Sequence, residues 1–213
     1  MIRAAAVVAL ALFASIPAAA QRPGEPGDFD FYVLSLSWSP AWCATDAGSA
    51  ASPQCGEAAE SRFVAHGLWP PYFEGYPEYC GDVGRLPRRL VASMLDIMPD
   101  RGLVAHQWRK HGSCSGLAAE DYFATTRAAF ARVKIPPALQ ASAGAGTRSA
   151  AAVEAAFMAA NPGLDADEIA LSCRDGLLQE VRICLDRALD FLACAEIDAR
   201  GCREARLGIP AAP

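Results

Sequence analysis

The sequence predicts a single α+β domain with a central, mostly antiparallel sheet, several packed helices and a framework of disulfides. Strand-like and helix-like segments follow one another without the regular βαβ rhythm of a parallel sheet. Two strand-like segments near the C-terminus are joined by a tight turn, which favours antiparallel pairing. Eight cysteines occur without any Cys-x-x-Cys spacing, and this favours four disulfides over a metal cluster.

Residues 1–20 are predicted to be a secretory signal peptide. Arg3 precedes an apolar run over 4–16, which is too short to cross a membrane comfortably. We therefore expect a secreted or periplasmic, monomeric mature chain that has no membrane attachment. It should consist of a flexible lead-in over 21–27 and one domain over 28–213.

The overall charge argues against an extended nucleic-acid-binding surface. The formal net charge is −5 and the isoelectric point is about 5.2. Composition alone would favour a protein that never meets nucleic acid. An acidic protein can still bind a nucleotide in a small local site, so the decision rests on the motifs.

Four segments rich in apolar, aromatic and β-branched residues are predicted to be strands: 29–38, 63–68, 169–173 and 177–185. The first should be a central strand, because its apolar residues suit burial on both faces and Pro40 ends it. The last two should form a hairpin through Arg174-Asp-Gly176.

Apolar residues at helical spacing predict three core helices: 90–98, 118–133 and 152–160. Pro87 suits the first turn of the first helix, and Pro99 lies just past its end. Ser149 is a candidate N-cap for the third.

All three histidines of the chain fall in two short segments. His66 lies in the predicted strand over 63–68, and His106 and His111 lie within five residues of each other. Histidine is the side chain that titrates near neutral pH, so several together can transfer protons. This clustering is the main indication of function.

A helix over the second segment would place four polar side chains on one face: His106, Gln107, Lys110 and His111. Trp108 would point towards the core, and Gly112 would end the helix. A helical zinc motif needs histidines four apart, whereas His106 and His111 are five apart. Three histidines beside a lysine favour catalysis over a purely structural role.

A bridge between Cys80 and Cys114 would bring the two histidine segments together. Cys80 follows the segment of His66, and Cys114 directly ends the segment of His111. Such a bridge would stabilise the fold by roughly 3 to 4 kcal/mol and would also position the histidines. Sequence alone leaves other pairings open.

The two segments, His66-Gly-Leu-Trp-Pro70 and His106-x-Trp-x-Lys-His-Gly-Ser-Cys114, resemble the active-site segments of the T2 family of secreted ribonucleases. The cysteine spacing and the paired C-terminal strands extend the resemblance. It implies an endoribonuclease that cleaves single-stranded RNA without metal or other cofactor. The 2′-hydroxyl attacks the adjacent phosphorus and gives a 2′,3′-cyclic phosphate, so DNA should not be cut.

The resemblance implies a role for each site residue. His111 is the general base and His66 the general acid, which requires opposite protonation states and favours a mildly acidic optimum. Lys110 stabilises the charge of the transition state. His106 binds phosphate, and Trp69 packs against a base.

The sequence departs from the family pattern at several positions. Gln107 stands where glutamate is common, so we expect a neutral hydrogen-bond donor without an acid-base role. Pro71 replaces a base-recognising aspartate of some members, and no base preference is predicted. Ser113 replaces a common threonine and keeps the hydroxyl. Tyr72 is one of several aromatic residues here that could stack on a base.

The resemblance also implies four disulfide bonds: Cys43–Cys55, Cys80–Cys114, Cys173–Cys202 and Cys184–Cys194. Two other functions remain open from the sequence. One is a catalytically weak or inactive secreted protein that binds RNA or nucleotides, for which Gln107 is the only support. The other is a phosphodiesterase that acts on a small cyclic nucleotide with the same residues.

Overall fold

The computed structural model describes residues 24–45, 52–55, 62–140 and 145–211. The predicted signal peptide and residues 21–23 of the predicted lead-in lie outside these ranges. Within them the strands are β1 Tyr32–Trp38, β2 Phe63–Trp69, β3 Gly146–Arg148, β4 Ile169–Arg174, β5 Leu177–Leu185 and β6 Leu207–Ile209. The α-helices are α1 Ser39–Cys43, α2 Arg88–Ala92, α3 Arg101–Lys110, α4 Ala119–Arg132, α5 Ala150–Ala160 and α6 Ala195–Ala199.

The strands form one sheet in the order β2-β1-β5-β6-β3, and β4 pairs with β5. Every pairing is antiparallel except the short parallel contact between β5 and β6. All seven residues of β1 are buried. The predicted α+β class, the mostly antiparallel sheet and the central position of the first strand are therefore confirmed.

The two faces of the sheet differ in chemistry. Leu34, Leu36 and Trp38 of β1 belong to the main hydrophobic core, together with residues of α4 and α5. The alternate residues, Ser35 and Ser37, point to the opposite face because successive side chains of a strand alternate. Across this second face they pair with polar residues of β5. The main core therefore lies on one side of the sheet, and the other side carries these polar residues beside a smaller buried cluster that includes Phe31 and Val33.

Two of the predicted helices match the structure closely. α4 falls within the predicted range, and α5 begins after Ser149, whose side chain accepts a hydrogen bond from the backbone N–H of Ala152 as expected of an N-cap. Among the described residues no helix has the length and apolar character that crossing a membrane requires.

The predicted helix over 90–98 is wrong in its extent. α2 covers only Arg88–Ala92, and the chain continues in tight turns as far as Ile97. The carbonyl of Ile97 accepts a hydrogen bond from the backbone N–H of Ala65 in β2. The carbonyl of Ser93, which would accept from the N–H of Ile97 in a continued α-helix, is bonded instead by the guanidinium of Arg127, so the apolar residues of the segment are buried by turns.

The structure contains the four disulfide bonds implied by the resemblance. Cys80–Cys114 spans 34 residues and joins the segment after β2 to the end of α3. The backbone N–H of Tyr79 donates to the carbonyl of Lys110, and that of Cys80 donates to the hydroxyl of Ser113. The segment before Cys80 is therefore fixed to the C-terminal end of α3.

Substitution of the α5 N-cap should weaken the fold by a predictable amount. Ser149→Ala removes the acceptor for the Ala152 N–H and should lower the free energy of unfolding by about 1 kcal/mol. Urea unfolding with intact disulfides measures the change. Ser149→Asp is the matched control, since it keeps a capping oxygen; equal losses in the two variants would contradict the role of the cap.

Candidate active site

His66 lies at a β-bulge in β2. Ser35 of β1 pairs with Gly67 and Leu36 pairs with Ala65, so His66 is an extra residue between two pairs. In a regular strand, residues three apart point to opposite faces. The extra residue shifts this alternation, which is how a bulge redirects side chains.

The result of the bulge is that His66 and Trp69 share one face of the sheet. Their rings meet edge to face with centroids 5.5 Å apart. Ala65 and Leu68 remain in the core on the other face. A single irregularity therefore places two predicted site residues together without disturbing the packing behind them.

Helix α3 supplies the second group of side chains, as predicted. His106, Gln107 and Lys110 lie on α3, and His111 follows its last residue. All four line a cavity of about 430 Å³ that His66 and Trp69 also line. Behind them Trp108 is buried in the core, and a Cβ atom at Gly112 would lie only 2.3 Å from its ring. Gly112 thus permits the close packing that holds the end of the helix.

A second cavity, of about 570 Å³, adjoins the first. The two share three lining residues: His66, His106 and Glu180. Ser37, Asp100 and Gln179 are among the other residues around the second cavity. The shared side chains therefore stand between two neighbouring clefts.

Trp69 contacts most of the site. Its ring stacks on His111 with centroids 5.4 Å apart and an interplanar angle of 28°. The guanidinium of Arg182 lies 5.3 Å from the centre of the same ring. The indole N–H donates a hydrogen bond to Oε1 of Gln107 over 3.0 Å. Trp69 therefore connects the sheet to the helix that carries the other candidates.

Gln107 is almost fully buried, with 1% of its surface exposed. Its carbonyl oxygen is engaged by Trp69, and its amide nitrogen makes no hydrogen bond within the described part of the chain. The group left to face a ligand is thus a neutral N–H donor. A Cβ atom at Gly67 would lie 2.0 Å from the Gln107 oxygen, so the glutamine fits only against a glycine.

His111 is buried and carries an unusually low proton affinity. Burial, followed by the positive charge of Lys110, lowers the pKa of His111 to about 3. Burial and Lys110 also lower the pKa of His106. At neutral pH the His111 ring is therefore uncharged and has a nitrogen lone pair that can accept a proton.

Glu180 and Arg182 of β5 are site residues that the sequence reasoning missed. Oε1 of Glu180 lies 2.5 Å from Nδ1 of His66. Nε and Nη2 of Arg182 donate to Oε2 over 3.0 and 2.7 Å. Burial opposes ionisation of Glu180, but His66 and Arg182 outweigh it and lower its pKa to about 2. In the sequence these two polar residues alternate with the apolar Val181 and Ile183. This alternation places Glu180 and Arg182 on the polar face of β5 and is the pattern that could have identified them.

The two remaining predicted site residues, Lys110 and Tyr72, differ in their position: Lys110 lines the smaller cavity, whereas Tyr72 lies outside both. Nζ of Lys110 lies 3.2 Å from Oε2 of Glu78, and both side chains are partly exposed. Tyr72, expected to contact substrate, lines neither cavity, and its hydroxyl faces Asp28. Tyr76 from the same segment lines the smaller cavity instead.

Among the described residues no group of three or more His, Cys, Asp or Glu side chains is arranged to hold a metal ion.

Comparison with known proteins identifies the family. The model of the ribonuclease T2 family matches residues 29–194. The chain belongs to the ribonuclease T2 family. The RNase-related protein from Calystegia sepium has the same fold, with a TM-score of 0.69 at 19% identity over 87% of this chain and 98% of that one.

Two relatives of this T2 family member show how far sequence similarity extends. A ribonuclease of Aeromonas hydrophila is 43% identical over 104 residues, which cover 49% of this chain and 46% of that protein. Ribonuclease DdI of Dictyostelium discoideum is 26% identical over 204 residues, covering 84% and 83%. The chain spans about half the length of the Aeromonas and Haemophilus influenzae relatives it matches.

Gly67→Ala should disturb the family member's site through crowding alone. The new methyl group would overlap the Gln107 oxygen, and overpacking of this kind typically costs 1 to 3 kcal/mol. Urea unfolding measures the loss, and adding Gln107→Ala should recover part of it. Gly81→Ala is the control, because a Cβ there meets nothing within 4 Å. Equal unfolding free energies for Gly67→Ala and the unmodified protein would rule out the crowding.

Stability should fall as the pH is lowered from about 6.5 towards 3. The unfolded chain protonates His111 near its ordinary pKa of 6.5, whereas the folded chain resists until about 3. The unfolded state therefore binds more protons in this window, and folding is penalised by up to about 1.4 kcal/mol per pH unit. Glu180 adds a similar loss from pH 4.5 towards 2.

His111→Asn should flatten the dependence between pH 6.5 and 4.5, where Glu180 does not yet contribute. Urea unfolding at several pH values in this window tests the prediction. His106→Asn, which removes a more exposed histidine, should retain most of the slope. An undiminished slope in His111→Asn would show that another group causes it.

Proposed function

We propose that this chain is a metal-independent endoribonuclease that cleaves single-stranded RNA by transphosphorylation through a 2′,3′-cyclic phosphate. One observation carries the proposal: an uncharged His111 and a carboxylate-paired His66 face the same cavity, in contact with the same indole ring. General acid-base catalysis needs two groups in opposite protonation states. The ring of His66 faces the carboxylate of Glu180, whereas the buried ring of His111 lies near the positive charge of Lys110.

His111 acts as the general base towards the 2′-hydroxyl. Its ring is neutral at the working pH because it is buried beside Lys110. An incoming phosphodiester brings negative charge to this position and offsets that of Lys110. Binding of the substrate therefore makes proton uptake by His111 more favourable.

His66 acts as the general acid towards the departing 5′-oxygen. Its Nδ1 faces the carboxylate of Glu180, which supports the protonated ring. The remaining nitrogen, Nε2, is the one that can deliver a proton. The resemblance in sequence assigns the same role.

The phosphate is held by three groups from α3. Lys110 places a cation at the cavity, where it stabilises the additional negative charge of the transition state. His106 contacts the phosphate from the same face of the helix. The amide nitrogen of Gln107 donates a hydrogen bond to a nonbridging oxygen, without taking part in proton transfer.

The two adjoining cavities favour a polymeric substrate. A scissile phosphate at the shared residues would have one nucleoside in each cleft. A phosphodiesterase for a mononucleotide would need only one of them. Trp69 and Tyr76 line the smaller cavity together with Pro71, so this cleft lacks a carboxylate at the position where some family members have one.

We infer a secreted or periplasmic location and a monomeric mature form. The inference rests on the predicted signal peptide and on four disulfides, which persist in oxidising compartments. Periplasmic extraction followed by size-exclusion chromatography would check both points.

The decisive experiment is cleavage of a labelled single-stranded RNA in EDTA by the oxidised mature chain. We expect 2′,3′-cyclic phosphate products, and a loss of roughly 10² to 10⁴-fold in His66→Ala and in His111→Ala. A matched oligonucleotide with one 2′-deoxyribose at the cleavage position is the substrate control and should resist cleavage there. A folded protein that binds nucleotides without cleaving RNA would favour the noncatalytic alternative.

Gln107→Ala should lower kcat by roughly tenfold or more, because a donor to the transition-state phosphate is lost. Gln107→Glu separates this donor from the contact with Trp69, since a carboxylate still accepts the indole N–H. Because glutamate is common at this position in the family, Gln107→Glu should retain more activity than Gln107→Ala. Unchanged turnover in Gln107→Ala would remove the residue from the mechanism.

A further inference from the structure

We propose that Glu180, held in place by Arg182, is the positioning residue for His66, and that it fixes which nitrogen of the ring delivers the proton. The proposal rests on the proposed function, because it assigns a partner to the general acid. Neither Glu180 nor Arg182 lies in the two histidine segments, and His66 and Glu180 are 114 positions apart in the chain.

The contacts around Glu180 use both of its oxygens. Oε1 faces Nδ1 of His66 at 2.5 Å, and Oε2 accepts from two nitrogens of Arg182 at 2.7 and 3.0 Å. Glu180 is buried, with 9% of its surface exposed. A carboxylate bound in this way cannot turn away from His66 without losing both partners.

An ionised carboxylate can accept hydrogen bonds but cannot donate them. Nδ1 of His66 must therefore carry a proton whenever it is bonded to Glu180. The exchangeable position is then Nε2, on the opposite side of the ring. The same contact supplies a negative counter-charge to the protonated ring, in a site that also contains Lys110 and Arg182.

The ring of His66 is held from a second direction by Trp69. The two rings meet edge to face, and Arg182 lies near the ring of Trp69 as well as on Glu180. Arg182 follows Glu180 by two residues on β5 and therefore points to the same face of the sheet. One arginine thus supports both groups that orient His66.

The test compares two substrates that differ in their need for an acid. A ribodinucleotide releases a sugar alkoxide, which must be protonated, whereas a nucleoside 3′-(4-nitrophenyl phosphate) releases a phenolate that leaves unprotonated. Glu180→Gln should reduce kcat on the dinucleotide on the order of 10- to 100-fold, below the full effect of losing the acid. Its kcat on the nitrophenyl ester should stay within about threefold.

The pH profile gives a second readout. In Glu180→Gln the protonated ring of His66 loses its counter-charge, so the alkaline limb for the dinucleotide should move to lower pH. KM should change little. Combining Glu180→Gln with His66→Ala should add almost nothing to the defect of His66→Ala, because both act on one step.

Asp96→Asn is the matched control. Asp96 also binds an arginine, Arg127, through both carboxylate oxygens, but on the exposed surface away from both cavities. This variant removes one carboxylate charge and one arginine contact, and it should leave both substrates and the pH profile unaffected. A shift equal to that of Glu180→Gln would attribute the effect to net charge and overturn the proposal.

¹⁵N NMR of the unmodified protein tests the contact between His66 Nδ1 and Glu180 directly, so the result does not depend on the folding of a variant. With only three histidines in the chain, ¹⁵N-histidine labelling resolves each ring. Neutral His66 should carry its proton on Nδ1, and a proton on Nε2 would overturn the proposal. If the protein cleaves RNA and His66→Ala does not, equal activity of Glu180→Gln on the dinucleotide refutes the positioning role alone. RNA cleavage retained in His66→Ala would instead refute the proposed function.

Discussion

The candidate site depends on the contact between Gln107 of α3 and the backbone of β2 at Gly67. The glutamine oxygen lies where a side chain of residue 67 would be, and it accepts the indole N–H of Trp69. This contact fixes the distance between the helix and the edge of the sheet. His111 stacks on the same indole, and His66 touches its edge. The positions of both histidines therefore follow from the spacing between α3 and β2.

Much of the fold follows from local patterns, and the exceptions have physical causes. Periodicity located α4, α5 and the β4–β5 hairpin, because each buries a face that its own sequence defines. α2 is shorter than its apolar spacing predicts, since the guanidinium of Arg127 takes the carbonyl of Ser93 that a longer helix would use. The short strands β3 and β6 were not predicted; each has three residues and depends on a partner that is distant in sequence.

The same division applies to the site. The three histidines, Lys110 and Gln107 were identified from two compact segments, and the structure brings them to one cavity. Glu180 was not identified, because its contact with His66 depends on the order of strands in the sheet. The place of Tyr72 and Tyr76 depends on turns that composition does not specify. Local sequence motifs thus indicate the candidate catalytic side chains. Their hydrogen-bond partners, such as Glu180 for His66, depend on the order of strands in the sheet.

The β-bulge at His66 makes chain length a constraint on this part of the protein. Loss of one residue between Val64 and Leu68 would restore the regular alternation of side chains. If Ala65 and Leu68 then stayed in the core, His66 and Trp69 could no longer share one face of the sheet. Many substitutions in this strand would alter a contact, but an insertion or deletion would exchange the two faces. Related chains that keep this site should therefore preserve the number of residues between Val64 and Leu68 as strictly as the identities of His66 and Gly67.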